Sequence, residues 1–137
     1  MTDFRSGTFP EPSAAGSAAL SRNELGGMGE RLAVAHLAGL GLHILQRNWR
    51  CRYGELDIIA CEADHTLVFV EVKTRTGNGF GGLEQAVTPQ KLRRIRRLAG
   101  IWLAGQERGW PGLRIDVVGV RMSRLRRPEI THLRGVG

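Results

Sequence analysis

The sequence predicts a single α/β domain with the element order αβββαβ and a short closing strand. Three observations carry that prediction. Two stretches repeat apolar residues at spacings of three and four, which is the period of a helix with one buried face. Short runs rich in β-branched residues lie between and after them. The chain has 137 residues, 42% of them hydrophobic, enough for one core and short of what two domains usually need.

Residues 1–20 are rich in Ser, Ala, Gly and Pro and show no apolar period, so they read as a mobile tail ahead of one domain at 21–137. Ser21-Arg22-Asn23-Glu24 fits the S-x-x-E capping box and opens the first helix. Behind it Leu25, Met28, Leu32, Ala35 and Gly39 form an apolar stripe, and Gly39 and Gly41 stop the helix. Strands are expected at His43–Trp49, Gly54–Ala60 and Leu67–Lys73. The six residues Cys61–Thr66 between the last two suit a hairpin. A glycine-rich loop through Gly77–Gly82 follows, and it lacks the GK[ST] ending of a P-loop. Thr88-Pro89, an N-cap and the proline favoured behind it, opens a second helix. Its apolar positions are Leu92, Ile95, Ala99 and Trp102. Leu113–Val120 reads as a strand and Glu129–Leu133 as the last one.

Composition narrows the function. Twenty Lys and Arg oppose 13 Asp and Glu, a formal charge of +7, which calls for a polyanionic partner: nucleic acid or an anionic surface. Cys51 and Cys61 form no CxxC pair, and His36, His43, His65 and His132 form no HxH or HxxxH, so zinc and disulfide frameworks are not indicated. No apolar run reaches the roughly 18–20 residues of a membrane span. A cytoplasmic protein with no membrane partner is expected.

Acidic residues inside apolar strands are the anomaly. Side chains alternate faces along a strand, which sets Glu55, Asp57 and Ile59 on one face and Leu67, Phe69, Glu71 and Lys73 on one face of the next strand. A hairpin centred near Asp64 would oppose Asp57 to Glu71 and Glu55 to Lys73, with Cβ atoms about 4.5–5.5 Å apart. Two carboxylates so close need a shared proton or a cation, and a hard divalent ion such as Mg²⁺ or Mn²⁺ prefers such oxygens. Lys73 on the same side can stabilise developing phosphate charge or help deprotonate water. The ordinary alternative is a solvent-facing pair of acids with Lys73 bonded to Glu55.

Asp57 followed after 13 residues by Glu71-Val72-Lys73, within Gly54-Glu55-Leu56-Asp57-Ile58-Ile59-Ala60 and Val68-Phe69-Val70-Glu71-Val72-Lys73-Thr74-Arg75, looks like the PD-(D/E)xK nuclease signature. With Gly29-Glu30-Arg31-Leu32-Ala33 upstream and Ala86-Val87-Thr88-Pro89-Gln90-Lys91 downstream, roughly residues 24–120 resemble the YraN-like bacterial family. Through that family the chain is similar to Holliday-junction resolvases of the restriction-endonuclease-like superfamily. The resemblance implies a mixed central sheet flanked by helices. It also implies a divalent-metal-dependent endonuclease acting on DNA in preference to RNA, branched recombination intermediates included, and a homodimer. Asp57 and Glu71 match the metal-binding acids, with the Val72 carbonyl as a further ligand. Lys73 matches the catalytic lysine, and Glu30 the first-helix glutamate beside the metal. Leu56 stands in place of the motif's proline, which is not a ligand. Glu55 is an additional acid that either binds the metal through water or pairs with Lys73. The alternative function is a non-catalytic nucleic-acid-binding module that keeps the fold.

Phosphate contacts are expected from the second helix, where Lys91, Arg93, Arg94, Arg96 and Arg97 crowd about two turns, and from Arg75 just after Lys73. Arg121, Arg124, Arg126 and Arg127 hold much of the remaining excess charge. Trp102 belongs to the apolar stripe and hence to the core, whereas Trp49 and Trp110 are open to base stacking. Gln85 and Asp116 suit supporting or purely structural roles.

Overall fold

A computed structural model describes residues 21–76 and 82–137. The expected tail at 1–20 and the centre of the glycine-rich loop at 77–81 lie outside the described residues. Among the described residues eight elements follow one another: helix α1 (Arg22–Gly39), strands β1 (His43–Cys51), β2 (Gly54–Glu62) and β3 (Thr66–Thr76), a 3-10 turn at Leu83–Ala86, helix α2 (Pro89–Ala104), and strands β4 (Gly112–Met122) and β5 (Glu129–Leu133). The order is the expected one, with each strand but the last extending a few residues beyond its apolar run.

Local chemistry explains the helix starts. Ser21 Oγ accepts from the Glu24 amide at 3.0 Å while Glu24 Oε1 accepts from the Ser21 amide at 2.9 Å, the reciprocal capping box. Thr88 Oγ1 accepts from the Lys91 amide at 3.1 Å, and Pro89 costs the first turn of α2 no hydrogen bond.

The five strands form one sheet in the order β1-β2-β3-β4-β5. Neighbours are antiparallel except β3 and β4, which run parallel because α2 carries the chain back across the sheet. The β2–β3 hairpin turns at Ala63–His65, and its register pairs Ile58 with Val70, Ile59 with Phe69 and Ala60 with Val68. That is the pairing expected for a turn centred near Asp64.

The sheet separates two cores. On the α1 side, Leu32, Leu37, Ile58, Val68 and Val118 pack together. On the α2 side, Leu56, Ile59, Phe69, Leu98 and Trp102 do so. Phe69 meets Trp102 edge to face with centroids 6.0 Å apart, and the indole N–H donates to Gln46 Oε1 at 3.1 Å, so Trp102 is core, as its place on the stripe predicts. Trp49 and Trp110 also lie against this core, and the Arg108 guanidinium covers the Trp110 ring at 3.7 Å, which leaves both poorly disposed to stack on bases. The buried face of α1 differs from the expected stripe. It comprises Met28, Gly29, Leu32, Ala33 and Leu37, with Leu25, Ala35 and Gly39 outside it. The helix is rotated because Gly29 sits against Thr74 of β3, where a Cβ would collide with the threonine side chain. A weakly amphipathic helix takes its orientation from such a close approach rather than from its own period.

Asp116 is fully buried, on the α1 side of β4. Arg114 Nε reaches Asp116 Oδ1 at 2.9 Å, the Gly135 amide reaches the same oxygen at 3.0 Å, and His132 Nε2 lies 2.8 Å from Oδ2. Burial raises the Asp116 carboxyl, but these donors outweigh it and hold the group below its ordinary value. The other ring nitrogen of His132 lies 3.0 Å from His36 Nε2 of α1. Arg114 also pairs with Glu62 at 2.7 Å. This network fastens β5 and the C-terminal residues to the sheet. It gives Asp116 a structural role and joins two histidines that sequence spacing leaves unrelated.

Candidate active site

The site forms where β2 and β3 part. Their pairing ends at Ile58 and Val70, and one step further the Asp57 carboxylate replaces the main-chain partner, its Oδ2 accepting from the Val72 amide at 2.8 Å. The face pattern changes at the same place. Leu56 packs with Ile59 on the α2 side although strict alternation would set it with Ile58, so the expectation that Glu55, Asp57 and Ile59 share one regular face fails at Asp57. Across β1 the matching irregularity is Asn48, held at φ 53°, a left-handed conformation that Asn tolerates. It stands between the pairs Arg47–Ile58 and Trp49–Leu56. Both strands thus switch faces together, and the carboxylate is turned out of the regular pleat.

Asn48 has a second consequence. Its Nδ2 donates to Glu30 Oε1 at 3.0 Å, and Arg47 reaches the same oxygen at 3.2 Å. Glu30 therefore sits at the edge of the site on α1, its side chain 13% exposed, placed there by the Gly29–Thr74 approach one residue earlier.

On β3, Glu71 and Lys73 lie on the α2 side, in line with Leu67 and Phe69. Glu71 Oε2 is 3.0 Å from Lys91 Nζ and 3.9 Å from Lys73 Nζ. Lys91 is thus drawn into the site from the first turn of α2 rather than ranged with the arginines that follow it. Glu55 does not meet Lys73. It is 51% exposed and bonded to Arg50 at 2.9 Å, because the strands have diverged before Gly54 and β1 offers the nearer cation.

The electrostatics follow from this crowding. Burial pushes the Asp57 carboxyl up to about 7; the Val72 amide opposes that rise, and the charges of Glu71, Glu30 and Glu55 add to it. The Lys73 ammonium is held below its usual range, first by its contact with Lys91, then by burial and by the Lys91 charge. A carboxyl that resists ionisation close to a lysine that resists protonation is characteristic of catalytic clusters.

Two carboxylates and a main-chain carbonyl are hard oxygen donors suited to Mg²⁺ or Mn²⁺. Among the described residues Asp57 uses Oδ2 for Val72, and Glu71 uses Oε2 for its lysines, so each has a second oxygen to offer a cation. Asp57 also lies within the fields of Glu71, Glu30 and Glu55, whose repulsion added positive charge would relieve. The donor set fits on those grounds. Among the described residues no three Asp, Glu, His or Cys side chains converge on one point, so a main-chain carbonyl is needed to complete the set.

The basic residues divide. Arg93, Arg94, Arg96 and Arg97 are all exposed on α2. Arg96 bonds the Gly137 carbonyl at 2.8 Å, and Arg97 lies 4.2 Å from the centroid of the Tyr53 ring. Arg75 lines a cleft of about 240 Å³ that begins at Lys73. Gln85 belongs to the 3-10 turn and is exposed. Two features escaped sequence reasoning: Lys91 as a partner of Glu71, and Asn48 as the residue that orients Glu30. An Asn inside a strand-like run was the available signal for the second.

The fold and this cluster define an α/β protein with a carboxylate–lysine site at the parting of two central strands. The chain belongs to the uncharacterised protein family UPF0102, whose family model matches residues 29–120. It is 70% identical to a UPF0102 protein of Mycobacterium ulcerans (strain Agy99) over 119 residues, covering 86% of this chain and 98% of that one. It is 68% identical to one of Mycolicibacterium smegmatis over 123 residues, covering 89% and 99%. The counterpart from Mycobacterium avium (strain 104) is 69% identical, with 86% and 93% covered. The matched segment contains every site residue named above. No helix among the described residues is long and apolar enough to cross a membrane.

Proposed function

We propose that this protein is a divalent-metal-dependent endonuclease acting on DNA, with branched DNA among its substrates. The observation that supports it best is the gathering of Asp57, Glu71 and Lys73 at one end of β2 and β3, with the Asp57 carboxyl pushed up to about 7. Asp57, Glu71 and the Val72 carbonyl would hold Mg²⁺ or Mn²⁺, with Glu30 at the edge and Glu55 too far out to be a direct ligand. When bound, such an ion supplies Lewis-acid polarisation of the phosphoryl group. The Lys73 amine, with its proton loosened by Lys91, is the group suited to orient water or take a proton from it. Arg75 and the exposed arginines of α2 would carry the flanking phosphates.

The test is incubation with labelled linear, flapped and four-way DNA in Mn²⁺ or Mg²⁺. Cleavage is expected from the wild-type chain and should fall at least 100-fold in Lys73→Ala and in Asp57→Asn, the usual scale for losing an acid–base group. Undiminished cutting by either variant would refute the assignment.

One observation favours a second reading, a nucleic-acid-binding module without physiological cutting: Glu71 is already neutralised by two lysines. Calorimetry separates the two. Mn²⁺ binding that disappears in Glu71→Gln supports the nuclease, and its absence from the wild-type chain supports the module.

A further inference from the structure

The connection between β4 and β5, residues 123–128, is a hairpin loop of unusual composition: Ser123-Arg124-Leu125-Arg126-Arg127-Pro128. All six residues are exposed, and Leu125 at its tip is 91% exposed. The loop is held in shape by the Leu125 amide, which donates to Ser123 Oγ at 3.2 Å. Among the described residues Arg124, Arg126 and Arg127 form no ion pair. An apolar side chain presented to solvent among three arginines gains the fold nothing.

The loop is also continuous with the site. The cleft of about 240 Å³ that starts at Lys73 and Arg75 is bounded at its far side by Arg121 and Glu129. Those two residues are cross-strand partners and bound a second cleft of about 260 Å³ under Leu125, Arg126 and Arg127. One groove therefore runs from Lys73 along the ends of β3 and β4 to the hairpin. Its lining carries Lys73, Arg75, Arg121, Arg126 and Arg127 against Glu84 and Glu129.

We infer that the β4–β5 hairpin is a nucleic-acid-engaging arm. A DNA strand passing through the Asp57/Glu71/Lys73 site leaves it along this groove. Arg124, Arg126 and Arg127 hold its phosphates, and Leu125 meets bases where the duplex opens. Arginines place a backbone but do not distinguish its structure, whereas an apolar wedge gains contact only where bases are unstacked. The arm thereby supplies the preference for branched or unpaired DNA, which neither the carboxylates nor the lysines can supply. This inference deepens the nuclease reading and rests on it for the path of the strand.

The experiment is fluorescence anisotropy with the full chain in EDTA, where cutting cannot interfere, using a labelled 20-nucleotide single strand, the 20-base-pair duplex and a flapped duplex over 50–300 mM KCl. The triple change Arg124→Gln, Arg126→Gln, Arg127→Gln should weaken all three and lower the slope of log affinity against log salt by about 2–3, since each lost phosphate contact removes about 0.7–0.9. Leu125→Ala should leave the slope unchanged and cost about ten-fold on the flapped and single-stranded DNA but not on the duplex. Unchanged circular dichroism is expected of both, because every altered side chain is exposed. An unaltered slope in the triple variant, no DNA binding by the wild-type chain, or hairpin-dependent binding to phosphatidylserine vesicles without a DNA salt slope would each overturn the arm. A wild-type chain with the predicted slopes that never cuts in Mn²⁺ would leave the arm standing and remove the nuclease. Cutting that persists with an unaltered slope would do the reverse.

Discussion

Replacing Asp57 with Asn should stabilise the metal-free protein at pH 8 and do almost nothing at pH 4. The Asp57 carboxyl is raised from an ordinary 3.8 to about 7, mainly by burial. Between those two values the unfolded chain has released this proton and the native chain still holds it. Stability from this group is therefore fully present below about pH 4 and is lost as pH rises to about 7, after which it stays lost. Roughly three pH units at about 1.4 kcal/mol each correspond to about 4 kcal/mol. The carboxyl is only partly shielded from water, and screening brings the expected loss to about 2–4 kcal/mol. Asn carries no such burden, and its Oδ1 can still accept from the Val72 amide. Urea unfolding in EDTA reads the difference: with a slope near 2 kcal/mol per molar, the Asp57→Asn midpoint at pH 8 should exceed the wild type's by about 1–2 M. The same comparison at pH 4 should give coincident curves. Equal midpoints at pH 8, or a gain as large at pH 4, would show that Asp57 ionises normally and that its burial does not penalise the charged form.

Two other perturbations test the framework that holds the site. Gly29→Ala gains helix propensity of about 1 kcal/mol but drives a methyl into Thr74, whose Cβ and Cγ2 would lie 2.9 Å from it; a net loss of about 1–2 kcal/mol in thermal unfolding is expected, partly recovered by adding Thr74→Ala. A stabilised single variant would mean that α1 can slide without cost. Asp116→Asn strips the buried partner from Arg114 and His132 and should cost about 3 kcal/mol or more, measured by urea unfolding at pH 7, with Mn²⁺ affinity at the site unchanged because Asp116 lies on the other side of the sheet. Loss of Mn²⁺ binding in a still-folded Asp116→Asn protein would place Asp116 in the site after all.

Much of this molecule is written in local patterns. The capping box at Ser21, the Thr88-Pro89 start, the apolar period of α2 and the β-branched density of β3 each act within one or two turns of chain, so they are legible one residue window at a time. The β2–β3 register was equally legible, because a short turn leaves a hairpin few choices. Lys91 illustrates the opposite case. It stands in a basic run and reads as one more phosphate contact, yet the crossing of α2 over β3 brings it to Glu71. Glu55 fails for a related reason: strict alternation pairs it with Lys73, and the irregularity at Asn48 and Asp57 breaks the alternation just before it.

By itself, then, the sequence determined the elements, their order and which strands carry Asp57, Glu71 and Lys73, since periodicity, capping and strand composition are short-range physics. Tertiary structure decided the rest. It chose which cations answer Glu71, turned α1 until Gly29 met Thr74, and so set Glu30 beside Asp57. It also gathered Asp116, His132 and His36 into one buried network and joined Lys73 to an arginine hairpin some fifty residues away. Those relations depend on close approach between surfaces distant in the chain. Side-chain volume and unpaired charge settle them only once the sheet has closed.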